Sequence, residues 1–210
     1  MRPRLVLATH NPGKLAELRE ILAPLVPGLA PEEVVTAGEL GIDPPVEDGV
    51  TFEANALLKA RAIATASGLP AVADDSGLAV DVLGGSPGVF SARWSGRHGD
   101  DAANNALLLA QLADVSDEHR AARFVCAAAL VVPGAPGATP VEVTRCGEMP
   151  GRLLREARGS GGFGYDPLFL PDGETRSAAE LAPAEKHAIS HRGAAFRALA
   201  PDVVRVLDAR

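Results

Sequence analysis

Two adjacent acids, Asp74 and Asp75, follow a short apolar run, Ala71-Val72-Ala73, and precede Ser76, Gly77 and a second apolar stretch from Leu78. Apolar residues arriving at paired carboxylates read as a buried strand that delivers acid to a cleft at its end. Successive side chains of an extended segment point to opposite faces, so one acid faces a ligand and the other orients or supports it. A carboxylate so placed can accept a proton or ligate a hard cation. The same residue types also form ordinary polar turns, and a turn between two strands is the competing reading.

Three further groups could share that chemistry. Glu47 and Asp48 lie just before a helix start at Thr51, where acids favour the dipole and could also complete a cation site with Asp74 and Asp75. In Thr9-His10-Asn11-Pro12-Gly13-Lys14, Asn11 is a good N-cap and Pro12 suits the first helical position. Free N–H groups at such a helix start receive anions, and a bound phosphate would offset the unfavourable placement of Lys14. The loop lacks Walker A spacing. Late in the chain, Lys186, His191 and Arg192 form a basic cluster in an otherwise acidic protein, with Ser190 as N-cap of the last helix.

Gly159 to Pro167 formally contains Gly-x-Gly-x-x-Gly, but Tyr165-Asp166-Pro167 follows where a dinucleotide-binding helix should begin. Glycines framing Phe163, with Gly164, Tyr165 and Asp166 beside it, instead suggest a close-approach loop that presents an aromatic face and a carboxylate. Only 4% of the chain is aromatic, which makes the pairing notable. An aromatic face stacks a base and a carboxylate accepts from ring N–H groups. A glycine-rich turn anchored by a core phenylalanine is the bland alternative.

The elements that must position these groups alternate between strand and helix. Strands are expected at Leu5–Ala8, Val34–Val35, Ala71–Ala73, Arg123–Val132 and Val141–Cys146. The last two flank a Pro/Gly-rich loop and form the simplest antiparallel pair. Helices are expected from Phe52 to about Ala66, near Asp101–Ala113, and through Phe196, Leu199, Val203 and Val206. In the first of these, Asn55 and Lys59 share a face four residues apart, away from the apolar stripe of Phe52, Ala56, Ala60 and Ile63.

With 210 residues, 47% hydrophobic and 22% charged, the chain is expected to fold as one domain spanning 1–210, or two intimate lobes with no separable linker. A net charge of −7 weighs against nucleic acid as the main partner. No apolar run approaches the roughly 18 residues that span a bilayer, and no signal-peptide layout is present, so a cytoplasmic protein is expected. Cys126 and Cys146 sit in apolar strand-like stretches and are expected to be buried, reduced thiols.

Acids near an anion-binding loop, a base-sized aromatic loop and a basic cluster together fit a magnesium–nucleotide site. Ser76 is not a Gly-x-Ser-x-Gly nucleophile, and the histidines and cysteines lack zinc spacing. A glycosidase carboxylate pair would leave the lysine and arginine placements unexplained.

Thr9–Lys14, Thr51–Ala60, Ala73–Val80, Phe163–Pro167 and Ser190–Arg192 resemble, in order and over nearly the whole chain, the inosine triphosphate pyrophosphatase family. The resemblance implies an α/β fold, a long mixed twisted sheet with flanking helices and two lobes around a central nucleotide cleft. It implies magnesium-dependent hydrolysis of XTP, ITP or dITP to the monophosphate and pyrophosphate by a cytosolic homodimer. It assigns Asp75 as proton acceptor and metal ligand, and Ser76 to substrate contact. Thr9, His10, Asn11, Pro12, Gly13 and Lys14 would hold the phosphates. Phe163, Gly164, Tyr165, Asp166, Lys186, His191 and Arg192 would surround the nucleotide, chiefly its base. His10 stands where the family usually has glycine, and Ala54 where many members have glutamate. Glu47 is therefore the preferred second metal ligand and Asp74 the next. A non-catalytic nucleotide-binding module and a phosphatase releasing orthophosphate are the alternatives.

Overall fold

The computed structural model describes residues 3–9, 18, 20–22, 24–135 and 137–208. His10, Asn11, Pro12, Gly13 and Lys14 lie outside these residues. Six strands, β1 (Leu5–Leu7), β2 (Val34–Thr36), β3 (Ala71–Val80), β4 (Ala121–Val132), β5 (Val141–Leu153) and β6 (Phe169–Pro171), form one sheet in the order β2-β1-β3-β4-β5-β6. The sheet is mixed: β1 runs parallel to β2 and to β3, whereas β5 and β6 are antiparallel. Among the helices that accompany it are α1 (Phe52–Ser67), α2 (Asp101–Gln111), α3 (Pro183–Ile189) and α4 (His191–Asp208). Among the described residues, no helix is long and apolar enough to cross a membrane.

Contacts group the chain into two compact units, and β3, β4 and β5 each contribute residues to both. The first unit comprises residues 1–75, 126–147 and 192–210. Its strands alternate between two apolar layers, as a pleat with period two requires. Val6, Ala71, Ala73, Ala127, Ala129 and Val131 pack with Ala56, Ala60, Ile63 and Ala64 of α1. Alanine on both sides of that interface lets helix and sheet approach closely. Leu5, Leu7, Val72, Cys126, Ala128 and Leu130 face the other way, against Phe196, Leu199 and Val203 of α4 and against Leu18, Ile21 and Leu22. Thr51 caps α1 by accepting from the Ala54 N–H at 3.1 Å, and Gly68 ends it with φ at 69°, a conformation glycine adopts without strain.

The second unit comprises residues 76–125 and 148–191. Its core gathers Leu78, Val80, Phe124, Met149, Leu153 and Phe169 from the strands with Leu108 of α2 and Leu112 just past its end. Asp100 caps α2 through the Ala103 N–H at 3.0 Å. Arg120 is buried and, among the described residues, has no carboxylate partner in hydrogen-bonding reach. Its guanidinium donates to the carbonyls of Leu112, Leu153 and Leu154 at 2.7, 3.0 and 2.8 Å, and burial lowers its pKa. Two separate segments, at Leu112 and at Leu153–Leu154, are thus tied by one side chain.

Two expectations are corrected. β3 does not end at the acids. It runs unbroken from Ala71 to Val80, so Asp74 and Asp75 lie mid-strand. Interior carboxylates are tolerable here because each meets a polar or cationic partner on its own face, as described below. Cys146 is exposed, not buried, and its thiol donates to Glu53 Oε1 at 3.1 Å, whereas Cys126 is buried.

Candidate functional site

β3 divides its acids between the two layers of the first unit. Asp75 faces α1. Its Oδ2 accepts from Asn55 Nδ2 at 3.0 Å, and its Oδ1 lies 3.5 Å from Lys59 Nζ. Asn55 and Lys59 are one helical turn apart, which is why both reach the same carboxylate. Lys59 also pairs with Glu47 Oε2 at 3.3 Å, so one ammonium stands between two carboxylates. Burial pulls the Lys59 pKa down, but the charges of Asp75, Asp74 and Glu47 outweigh it and hold the group above its ordinary value.

Asn55 also fixes the loop that carries Glu47. Only 1% exposed, it accepts from the Gly49 N–H at 2.8 Å through Oδ1 while donating to Asp75 through Nδ2. A Cβ on residue 49 would collide with Asn55 Oδ1, so glycine is needed for the close approach. One amide therefore ties the segment before α1 to the acid on β3.

Asp74 faces α4. Arg192 Nε donates to its Oδ2 at 3.2 Å, with both side chains almost fully buried. The thiol of Cys126 lies 4.0 Å from the same oxygen. Asp74 therefore stands on the opposite side of the strand from Asp75, engaged by a cation of its own, and Glu47 is the carboxylate that shares a partner with Asp75.

The second unit holds the glycine-rich segment. Asp166 is buried, and its Oδ2 accepts from the Phe163 N–H at 2.9 Å and from Lys186 Nζ at 2.7 Å. Lys186 Nζ also lies 5.2 Å from the centre of the Phe163 ring, a cation–π contact. A side chain on Gly162 would strike Asp166 Oδ2. Gly164 is held by α2, its N–H donating to Asp101 Oδ2 at 2.7 Å and its carbonyl accepting from Asn105 Nδ2 at 2.9 Å. The Tyr165 hydroxyl donates to the Ser91 carbonyl at 2.9 Å, and burial raises its pKa. His191 stacks on Phe124 with ring centres 4.9 Å apart.

The residues singled out from sequence thus fall into distinct settings. Asp75 and Glu47 meet around Lys59, and Phe163, Asp166 and Lys186 form one contact group. Of the three basic residues expected to cluster, Lys186 pairs with Asp166, His191 packs on an aromatic ring, and Arg192 pairs with Asp74. Thr9 is buried just beyond β1, and Ser76 is half-buried within β3. The rest of the phosphate-loop expectation, His10 to Lys14, falls outside the described residues. Asn55, Lys59, Asp101 and Asn105 were not assigned roles from sequence. The four-residue spacing of the first pair was visible, but its partner was not.

Among the described residues no cluster of three or more histidine, cysteine, aspartate or glutamate side chains is arranged to hold a metal ion. The Asp75–Glu47 pair nonetheless fits magnesium. It offers hard oxygen donors, already flanks a cation in the form of Lys59, and supplies the one or two carboxylates magnesium takes when phosphate oxygens and water complete its shell.

A profile of the Ham1 family matches residues 5–202. The chain is 60% identical to the dITP/XTP pyrophosphatase of Streptomyces coelicolor, over 97% of this chain and 98% of that one. It is 57% identical to the dITP/XTP pyrophosphatase of Nocardia farcinica, over 98% and 97%. Among solved structures, a HAM1 protein from Coxiella burnetii superposes with a TM-score of 0.82 at 40% identity, covering 97% of this chain and 99% of that one.

Proposed function

Because the chain belongs to the Ham1 family and is a pyrophosphatase of non-standard purine nucleoside triphosphates, we propose that it does this chemistry with Asp75 as proton acceptor. XTP, ITP and dITP are split to the monophosphate and pyrophosphate, which removes aberrant purines before they enter DNA or RNA. One observation carries the assignment: a buried carboxylate held by an amide at 3.0 Å and flanked by an ammonium at 3.5 Å. A general base needs fixed aim before it needs strength, and Asn55 provides the aim. Asp75 takes the proton of the water that attacks phosphorus. Lys59 keeps its charge through neutral pH and leaves a cation beside the acid and the incoming phosphates. Asp75 and Glu47 would hold magnesium, which supplies neutralisation of phosphate charge and polarisation of phosphorus when bound. Thr9 and the His10–Lys14 segment receive the phosphates, Lys14 stabilises the departing pyrophosphate, and Ser76 contacts substrate.

The purine falls to Phe163, Gly164, Tyr165, Asp166, Lys186 and His191, with the Phe163 ring as stacking face. Hypoxanthine and xanthine present a 6-carbonyl and a ring N–H, whereas adenine presents an amino donor. A site of matching buried partners is left unpaired by adenine and rejects it. Arg192, expected beside the nucleotide, also holds Asp74 through its Nε. The working form is a cytoplasmic homodimer, which sedimentation at micromolar concentration checks.

The decisive assay incubates ITP with magnesium and identifies the product. Pyrophosphate with IMP is expected, orthophosphate indicates a general phosphatase, and saturable binding without product indicates a binding module. Asp75→Asn should abolish turnover and leave the fold intact. Substantial residual turnover rejects the assignment.

A further inference from the structure

We propose that Asp101 and Asn105, on the first two turns of α2, are positioning residues for purine recognition, acting through Gly164. This deepens the reading above and rests on its placing the base against the Phe163 loop. Asp101 and Asn105 are four residues apart and share a helix face. Between them they hold both polar groups of a single residue: Asp101 Oδ2 accepts from the Gly164 N–H at 2.7 Å, and Asn105 Nδ2 donates to its carbonyl at 2.9 Å. Gly164 adopts φ of 63°, in the left-handed region, so the grip fixes a conformation the chain would otherwise leave readily.

The neighbours of Gly164 are those that matter for a flat ligand. Phe163 is bound from within the loop by Asp166 at 2.9 Å, and Tyr165 is anchored to Ser91 at 2.9 Å. None of those bonds sets the loop's orientation on α2, and the Asp101–Asn105 pair does. A loop held in its binding conformation beforehand forfeits no ordering entropy when the base stacks.

The other end of Asn105 strengthens the case. Its Oδ1 is buried and has no hydrogen-bond partner among the described residues. Turning the amide over would aim that oxygen at the Gly164 carbonyl, so the donor orientation is the right one. Burying an amide with half its capacity unmet is costly, and a leucine would fill the space without that cost. What the asparagine adds is the bond to Gly164.

The test is steady-state kinetics with ITP and magnesium on the parent and on Asp101→Ala, Asn105→Ala, Asn105→Asp, Asp101→Asn and Phe163→Ala, with melting curves for each. Asp101→Ala, Asn105→Ala and Asn105→Asp should each raise KM about tenfold, the size expected for one lost hydrogen bond, with kcat changed less than about twofold. Asp101→Asn, which keeps an acceptor for the Gly164 N–H, should hold KM within about threefold. Opposite outcomes for the two shape-conserving exchanges separate positioning from general loss of packing. If Phe163→Ala raises KM while the Asp101 and Asn105 variants leave it unchanged, or lower kcat alone, the positioning role is overturned and the purine reading stands. If Phe163→Ala itself leaves KM unchanged, the purine reading falls and this inference with it.

Discussion

Replacing Asn55 by aspartate changes little in shape but turns the amide nitrogen that donates to Asp75, at 3.0 Å, into a carboxylate oxygen. Two full charges at that distance repel by about 5 kcal/mol at an effective dielectric constant of 20. Keeping a proton on one member at pH 7, three pH units above the usual aspartate value, costs about 4 kcal/mol and is the easier route. The variant is therefore expected to share one proton between the two carboxyls. The folded-state carboxyl value is then raised, so the deficit is absent below about pH 4 and grows as pH rises toward that raised value. At pH 7 the melting temperature should fall by roughly 8–16 °C, and at pH 5 by roughly 3–6 °C, for a chain of this length. Lys59, beside the other Asp75 oxygen, trims both figures, which are ceilings. The assay is a set of matched melts of parent and variant from pH 5 to 8 at one ionic strength, with Asn55→Ala as a control whose deficit is independent of pH over that range. A deficit of equal size at pH 5 and pH 7, or none at pH 7, refutes the arrangement of amide and acid described here.

Other outcomes follow from the same geometry. Lys59 has a raised folded value, so its contribution to stability is fully present below its ordinary value of 10.5 and is lost as pH rises through the higher folded one. Melts of the parent and Lys59→Met should accordingly converge only above pH 10.5, and convergence below that point counts against the pairing. Arg192→Ala leaves Asp74 as a buried charge and should cost about 3–5 kcal/mol by urea unfolding, while Asp74→Asn with Arg192→Met should recover part of it. Gly162→Ala forces a left-handed residue and a Cβ onto Asp166 Oδ2, so KM for ITP should rise several-fold, measured beside an unaffected parent.

Local signals in the sequence were enough to place α1, because Thr51 before an apolar stripe is a capping signature and the helix does start at Phe52. They were enough, too, to put the two acids on opposite faces. They failed on where β3 ends: Asp-Asp-Ser-Gly has the composition of a turn, and only the partners supplied by α1 and α4 make it the middle of a strand. Those partners are distant in sequence, Arg192 being 118 residues from Asp74. Spacing along the chain does not say that Lys186 meets Asp166, His191 the Phe124 ring and Arg192 Asp74. Likewise Asp101 and Asn105 look like ordinary helix-start residues until Gly164 is seen beside them.

The two neighbouring acids of β3 also bear on how the strand tolerates change. Each is matched to a different helix, Asp75 to Asn55 and Lys59, and Asp74 to Arg192. Sliding the chain by one position would set Ala73 opposite Arg192, or Ser76 opposite Asn55 and Lys59, and would carry one of the two carboxylates past its partners. Apolar strands alone can slip and still satisfy a greasy interior, but this one cannot. The pair acts as a lock on alignment, so single-residue insertions or deletions ahead of Asp74 should be far harder for this protein to accommodate than substitutions at the same places.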